Sequence, residues 1–102
     1  MDEETKAKLQ LPGLSFTWDD TKAEENFAKH GVEFREAATV FLDPLAVYFE
    51  PEIVDAEVRD TIVGRSLRPR ILLVIHTERG AITRIISARP PTPVERRRYE
   101  EG

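Results

Sequence analysis

Residues 70–89 read RILLVIHTERGAITRIISAR. Two runs rich in Ile, Val, Leu and Thr, Arg70 to Thr77 and Ala81 to Ala88, flank Glu78-Arg79-Gly80, a turn sequence with glycine where positive φ is called for. The pattern predicts a β-hairpin. With a two-residue turn that sets Glu78 opposite Ala81, the period of two sorts the side chains. Ile71, Leu73, Ile75, Ile82, Ile86 and Ala88 then share one face with Arg84. Arg70, His76, Thr83, Ser87 and Arg89 share the other with Leu72, Val74 and Ile85. A bulge would move one strand by a residue and exchange its faces, so the grouping of Arg84 with Arg89 stays open.

Beyond the hairpin, Pro90-Pro91 ends the sheet. Thr92-Pro93-Val94-Glu95 then combines a Thr N-cap, Pro at the first helical position and Glu three residues after the cap, which predicts a helix over Pro93 to Glu100. Upstream, Thr61 to Gly64 and Leu45 to Phe49 favour strands, and Glu50 to Glu57, acidic and containing Pro51, reads as a loop. In Glu33 to Leu42 the apolar residues Phe34, Ala37, Ala38, Phe41 and Leu42 recur at helical spacing until Asp43-Pro44 stops them. A preceding helix starts at Asp19-Asp20 or at a Thr21/Glu24 capping box, presents Ala23, Phe27 and Ala28 on one side, and ends at His30-Gly31. Ser15 to Trp18 reads as a short strand. Residues 1–14, with Pro12-Gly13 and no clear period, read as a flexible tail before a single domain spanning 15–102. The expected fold is α+β: an N-terminal helical hairpin packed on an antiparallel sheet, with a C-terminal helix.

At 102 residues, 40% hydrophobic and 33% charged, the chain has the composition of one globular unit. It contains no Cys, which excludes disulfides and thiolate chemistry. No apolar run approaches the roughly 20 residues a membrane helix needs, so no membrane association and a cytoplasmic location are expected. The net charge of −4 speaks against a polyanion partner until its distribution is considered. Residues 1–58 carry 4 Lys and 1 Arg against 14 acids, whereas residues 59–98 carry 10 Arg, no Lys and the three acids Asp60, Glu78 and Glu95. Arginine offers a planar fork matched to phosphate, which makes RNA the leading partner. The bland alternative is that these arginines pair with the acidic half across the fold.

His76, near a strand end, suits either general acid–base work or a buried structural role. His30 sits at a helix C-terminus, where the helix dipole alone favours an imidazolium. Two histidines without local ligand spacing and with scattered acids predict no metal site and no cofactor. Phosphate-cradling glycine loops and nucleophile elbows are absent too.

Taken together, Phe16-Thr-Trp-Asp19, Asn26 with Lys29-His30-Gly31, Val32 to Asp43 followed by Pro44, Gly64-Arg65-Ser66, Val74-Ile-His-Thr-Glu-Arg-Gly80, Arg84-Ile-Ile-Ser-Ala-Arg89 and Glu95-Arg-Arg-Arg-Tyr99 resemble the BrnT toxin family, from Phe16 to the C-terminus. The resemblance implies a RelE-like fold and endonucleolytic, metal-independent cleavage of RNA. It also implies neutralisation by a BrnA-like antitoxin, with a dimer or heterotetramer assembled through that partner. It maps Arg65 and Arg89 to the scissile phosphate and adds Lys29 and His30. The enzyme reading built on this gives proton transfer to Lys29, His30 or His76 and makes Arg70, Arg84 and Arg97 substrate-binding. Arg89, at the strand end before Pro90-Pro91, is expected to project towards substrate with little role in folding. The competing expectation is a non-catalytic module whose acidic half grips a basic partner segment.

Overall fold

A computed structural model of the chain describes residues 6–102. In chain order the elements are β1 (Leu9–Leu11), β2 (Leu14–Thr17), α1 (Asp20–His30), α2 (Phe34–Thr39), a 3-10 turn (Val40–Leu42), β3 (Val47–Tyr48), β4 (Glu52–Val54), β5 (Glu57–Arg65), β6 (Ile71–Arg79), β7 (Ile82–Arg89) and α3 (Pro93–Glu101). The strands lie in the order β1-β2-β7-β6-β5-β3, with β4 paired to β5. Among the described residues only β2 and β7 run parallel; the other pairings are antiparallel. Of the stretch read as a tail, residues 1–5 lie outside the described residues and Leu9–Leu11 form β1.

The central hairpin forms, but its turn is Gly80-Ala81, so Glu78 faces Thr83 rather than Ala81. Gly80 takes φ +64°, a value a residue with a Cβ rarely adopts. The register then breaks: Ile75 pairs with Ser87 and His76 with Ile85, leaving Ile86 as an extra residue. This bulge re-sorts the faces expected from strict alternation. Without it Arg89 would share a face with Leu72; with it Ala88 joins Leu72, Val74 and Ile85, and Arg84, Ser87 and Arg89 share the opposite face with Leu73 and Ile75. On the first face the main core gathers Phe16, Ile62, Leu72, Val74, Ile85 and Ala88 beneath Val32, Phe34, Ala37, Ala38 and Val40. A smaller core of Val63, Ile71 and Leu73, with Phe49, Ile75 and Tyr99, lies on the other.

Both long helices start and stop where the chemistry of caps demands. The Asp19 carboxylate accepts from the Lys22 amide at 2.9 Å, and Gly31 closes α1 with φ +68°. Thr92 and Glu95 complete a capping box on α3 behind Pro93. Three features depart from the expected pattern. Glu33 to Leu42 is not one helix but α2 followed by the 3-10 turn. The acidic loop contains β4, which turns into β5 through Asp55 and Ala56, both at positive φ without a glycine to announce it. The buried side of α1 is marked by Asn26, while Phe27 stays half exposed.

Asn26 replaces an apolar stripe with hydrogen bonds. Its Nδ2 donates to the Val32 carbonyl at 3.0 Å and the Ala88 carbonyl at 2.9 Å, and its Oδ1 accepts from the Ala88 amide at 3.1 Å. The amide side chain thus acts as a short strand partner for β7 beyond the point where β2 stops pairing with it. Asn26→Leu keeps the volume but strands three buried backbone groups, each worth roughly 1–3 kcal/mol when unpaired. The variant should lose at least about 2 kcal/mol in urea unfolding; a loss within about 0.5 kcal/mol would show that α1 is held by apolar packing instead.

Candidate functional site

Gly64-Arg65-Ser66 ends β5 at a close approach. A Cβ on Gly64 would lie 3.0 Å from Val40 Cγ1, 3.1 Å from Ala46 Cβ and 3.1 Å from Asp43 Oδ2, so a larger residue would push the 3-10 turn and Ala46 back from the strand. Asp43 uses that proximity: its Oδ2 accepts from the Arg65 amide at 2.8 Å and the Tyr99 hydroxyl at 2.7 Å, and its Oδ1 from the Leu45 amide at 2.9 Å. The bond to Asp43 raises the pKa of Tyr99 above its usual value, with burial adding and the Arg65 guanidinium opposing. Arg65 is thereby held by its backbone while its side chain remains exposed beside Tyr99.

The loop from Ser66 to Arg70 folds over a buried carboxylate. Glu36 accepts from Ser66 Oγ at 2.7 Å, Arg70 Nε at 2.7 Å and Arg70 Nη2 at 2.6 Å. Arg70 Nη2 also reaches the Gly31 carbonyl at 3.0 Å. The Arg70 bond, opposed by burial and helped by Ser66, holds Glu36 below the ordinary carboxylate range. Arg70, expected to bind substrate, therefore has its fork engaged in tying β6 to α2 and to the end of α1. It still lines a groove of about 360 Å³ with Arg65, Arg96, Pro69, Pro90 and Pro91.

Arg89 is corrected more sharply. It does not project unpaired from the strand end: its two Nη atoms grip Glu95 at 2.8 and 3.0 Å, and Glu95 Oε1 in turn accepts from the Thr92 amide at 2.8 Å. One carboxylate thus closes both the strand end and the cap of α3, so Arg89 has a folding role that its position in the sequence did not announce. Arg84 lies on the same face of β7 as Arg89 and adds a favourable charge to Asp19. Arg97 is exposed on α3. Lys29 and His30 close α1, next to the Gly31 carbonyl that Arg70 holds.

His76 is not part of this group. It lies five residues along β6 from Ile71, roughly 17 Å at the rise of a strand, on the helix-covered face. There it is buried, with Nδ1 3.0 Å from Glu78 Oε2. Burial pushes its pKa below the usual imidazole value, against the pull of Glu78 and Asp60. The pairing of β5 with β6 sets Asp60 opposite His76, a grouping that ligand spacing along one segment could not show. Arg96 and Tyr99 were likewise missed as site residues, although the run from Glu95 to Tyr99 carried them.

A small α+β domain whose sheet end presents several guanidinium groups around a shallow groove is suited to holding an anionic, phosphate-bearing ligand. Among the described residues no helix is long and apolar enough to cross a membrane. Residues 18–95 match the family described as the ribonuclease toxin BrnT of type II toxin–antitoxin systems. The crystal structure of the Brucella abortus ribonuclease toxin BrnT is similar to this chain at 26% identity and TM-score 0.59, over 76% of this chain and 95% of that one. No curated protein matches the chain. The chain belongs to the BrnT family of ribonuclease toxins, whose members act within toxin–antitoxin pairs.

The Arg89 fork, partly opposed by burial, brings Glu95 from an ordinary value of 4.5 down to about 2. A carboxylate more acidic in the folded than the unfolded state contributes stability that is fully present above about pH 4.5 and is lost as pH falls towards 2. Glu95→Gln should therefore lower the urea midpoint most at neutral pH, and the gap to the parent should close between these two values. An undiminished gap at the acid end would mean that the pair contributes by shape alone.

Proposed function

We propose that this chain is an endoribonuclease toxin that cleaves RNA without a metal ion at the groove bordered by Arg65, Arg70 and Arg96. The observation that supports this most is Arg65: a guanidinium presented at a strand end by a backbone bond to Asp43, in a chain of a ribonuclease family. The proposed reaction is an in-line attack of the ribose 2′-oxygen on the adjacent phosphorus. A base takes the 2′-hydroxyl proton, the P–O5′ bond breaks, and an acid returns a proton to O5′, leaving a cyclic phosphate. Such a reaction needs alignment and cationic stabilisation of the crowded phosphorane more than covalent help. Arg65 and Arg96 would supply the charge, with Arg97 and Arg84 extending the phosphate track.

Arg89, kept in place by Glu95, would turn one edge of its fork to the same phosphate. His30 or Lys29, at the same end of the molecule, would move the protons; His76 lies too far away to do so. In this proposal the likeness to RelE-type ribonucleases, the cytoplasmic location, the BrnA-like identity of the antitoxin and assembly as a dimer or heterotetramer through it all follow from family resemblance. The antitoxin would cover the arginine end, where an unshielded positive field is a hazard to the cell's own RNA.

Arg65→Ala should lose about 100-fold or more in cleavage rate, the scale for removing one transition-state donor, with stability changed by less than about 0.5 kcal/mol. Single-stranded RNA should be cut equally well in EDTA. Cleavage abolished by chelation and restored by a divalent ion would overturn the metal-free mechanism. Full activity in Arg65→Ala would remove the groove, and a chain that binds its antitoxin yet cuts no RNA would leave the non-catalytic module.

A further inference from the structure

At the end of the sheet away from the arginine groove, three side chains are unused by the reaction proposed above. Asp60 and His76 stand opposite each other on β5 and β6, and Glu78 follows two residues along the same face. One ligand atom from each lies within 4.8 Å of the others. Bonds near 2.0–2.2 Å would set such atoms about 3.3 Å apart around one ion. The difference asks for a shift of about an ångström, which the Glu78 side chain, 52% exposed, makes by exchanging its contact with His76 for the ion.

The histidine is the second observation. His76 is 3% exposed, and a neutral imidazole carries one donor and one acceptor nitrogen. Nδ1 faces Glu78 at 3.0 Å, so it is the nitrogen that an ion shared with Glu78 would take in place of that hydrogen bond. The ring helps to line a cavity of about 380 Å³ together with Asp60, Glu78, Thr83, Phe41 and Tyr48. Thr83 Oγ1 donates to both Glu78 oxygens, at 3.0 and 3.2 Å. Outer hydrogen bonds of this kind orient a metal-binding carboxylate. Phe41 meets the imidazole edge-on at 4.9 Å and limits its rotation.

The geometry points to a binding site for one divalent transition-metal ion, with Asp60, His76 and Glu78 as ligands and water in the remaining positions. Two carboxylates and an imidazole balance a double positive charge and favour zinc or manganese over magnesium, which prefers oxygen ligands alone. This site is separate from the proposed cleavage groove, roughly 17 Å along β6 from Ile71.

Protein stripped with EDTA and dialysed should bind one equivalent of Zn²⁺ by calorimetry, bind Mn²⁺ more weakly and ignore Mg²⁺, and Zn²⁺ should raise its melting temperature. Asp60→Asn and Glu78→Gln, which alter partly or fully exposed side chains and should leave the fold intact, should each weaken Zn²⁺ at least about tenfold, the scale that outer-shell partners alone reach. His30→Ala should bind as the parent does. Absence of Zn²⁺ binding by the parent, retention in both carboxylate variants, or loss in His30→Ala would overturn the proposal. Cleavage in EDTA separates the two ideas: activity that persists without any Zn²⁺ binding removes this site alone, whereas Zn²⁺ binding with activity lost on chelation removes the metal-free mechanism alone.

Discussion

The carboxylate of Glu36 holds together elements that share no strand pairing. It lies on α2, is 7% exposed, and is reached by the Ser66 hydroxyl and by two nitrogens of Arg70. A charge withdrawn from water must be met by several donors at once or it destabilises the fold by several kcal/mol, and the loop from Ser66 to Arg70 has the shape that meets it. The Leu67 amide adds a bond to Thr39 Oγ1 at 2.9 Å. Through Arg70 the same cluster captures the Gly31 carbonyl, which sets the end of α1 above the groove. The placement of Arg70 and of the His30 end of α1 beside each other follows from how this carboxylate is satisfied.

A second constraint acts within the sheet. The extra residue at Ile86 allows Ala88, small and fully buried, to join the apolar core while Arg89 turns away from it towards Glu95. A regular strand would have directed Arg89 towards the core. Bulges often re-aim side chains in this way, and here the result is that the strand's last guanidinium meets the first turn of α3. Strand end, cap and helix are then one cooperative unit around Glu95.

These two devices also mark how far the sequence could be read. The hairpin, the caps at Asp19, Gly31 and Thr92, and the stop at Asp43-Pro44 were legible because each depends on residues a few positions apart. The bulge was not: Arg-Ile-Ile-Ser-Ala contains no glycine or proline to mark it, so Arg84 and Arg89 could be assigned to faces only with the register in hand. β4 was hidden because Asp55 and Ala56 make its turn without glycine. Asn26 was passed over because a polar residue was not considered for the buried side of α1, although its four hydrogen-bonding positions suit it to an unpaired strand edge. Asp60, His76 and Glu78 illustrate the general limit, since two strands must pair before the three meet.

Segregation of charge along the chain is not segregation in space. Arg70 is held by Glu36, Arg79 by Glu57, and Arg89 by Glu95, so in two of these three pairs the basic half is neutralised by the acidic half, as the bland alternative supposed. The arginines that the proposed groove and track draw on beyond these pairs include Arg65, presented by its backbone, Arg97 on the outer helix, and Arg96, whose contact with Glu100 joins two half-exposed groups and is therefore weak. A site with few available guanidinium groups must rely on their placement more than on total field. That is why the net charge of −4 is compatible with the proposed phosphate recognition: Glu36 and Glu95 fix Arg70 and Arg89 in place, and in the proposed reaction that rigidity, rather than bulk positive charge, would align a ribose against its neighbouring phosphate.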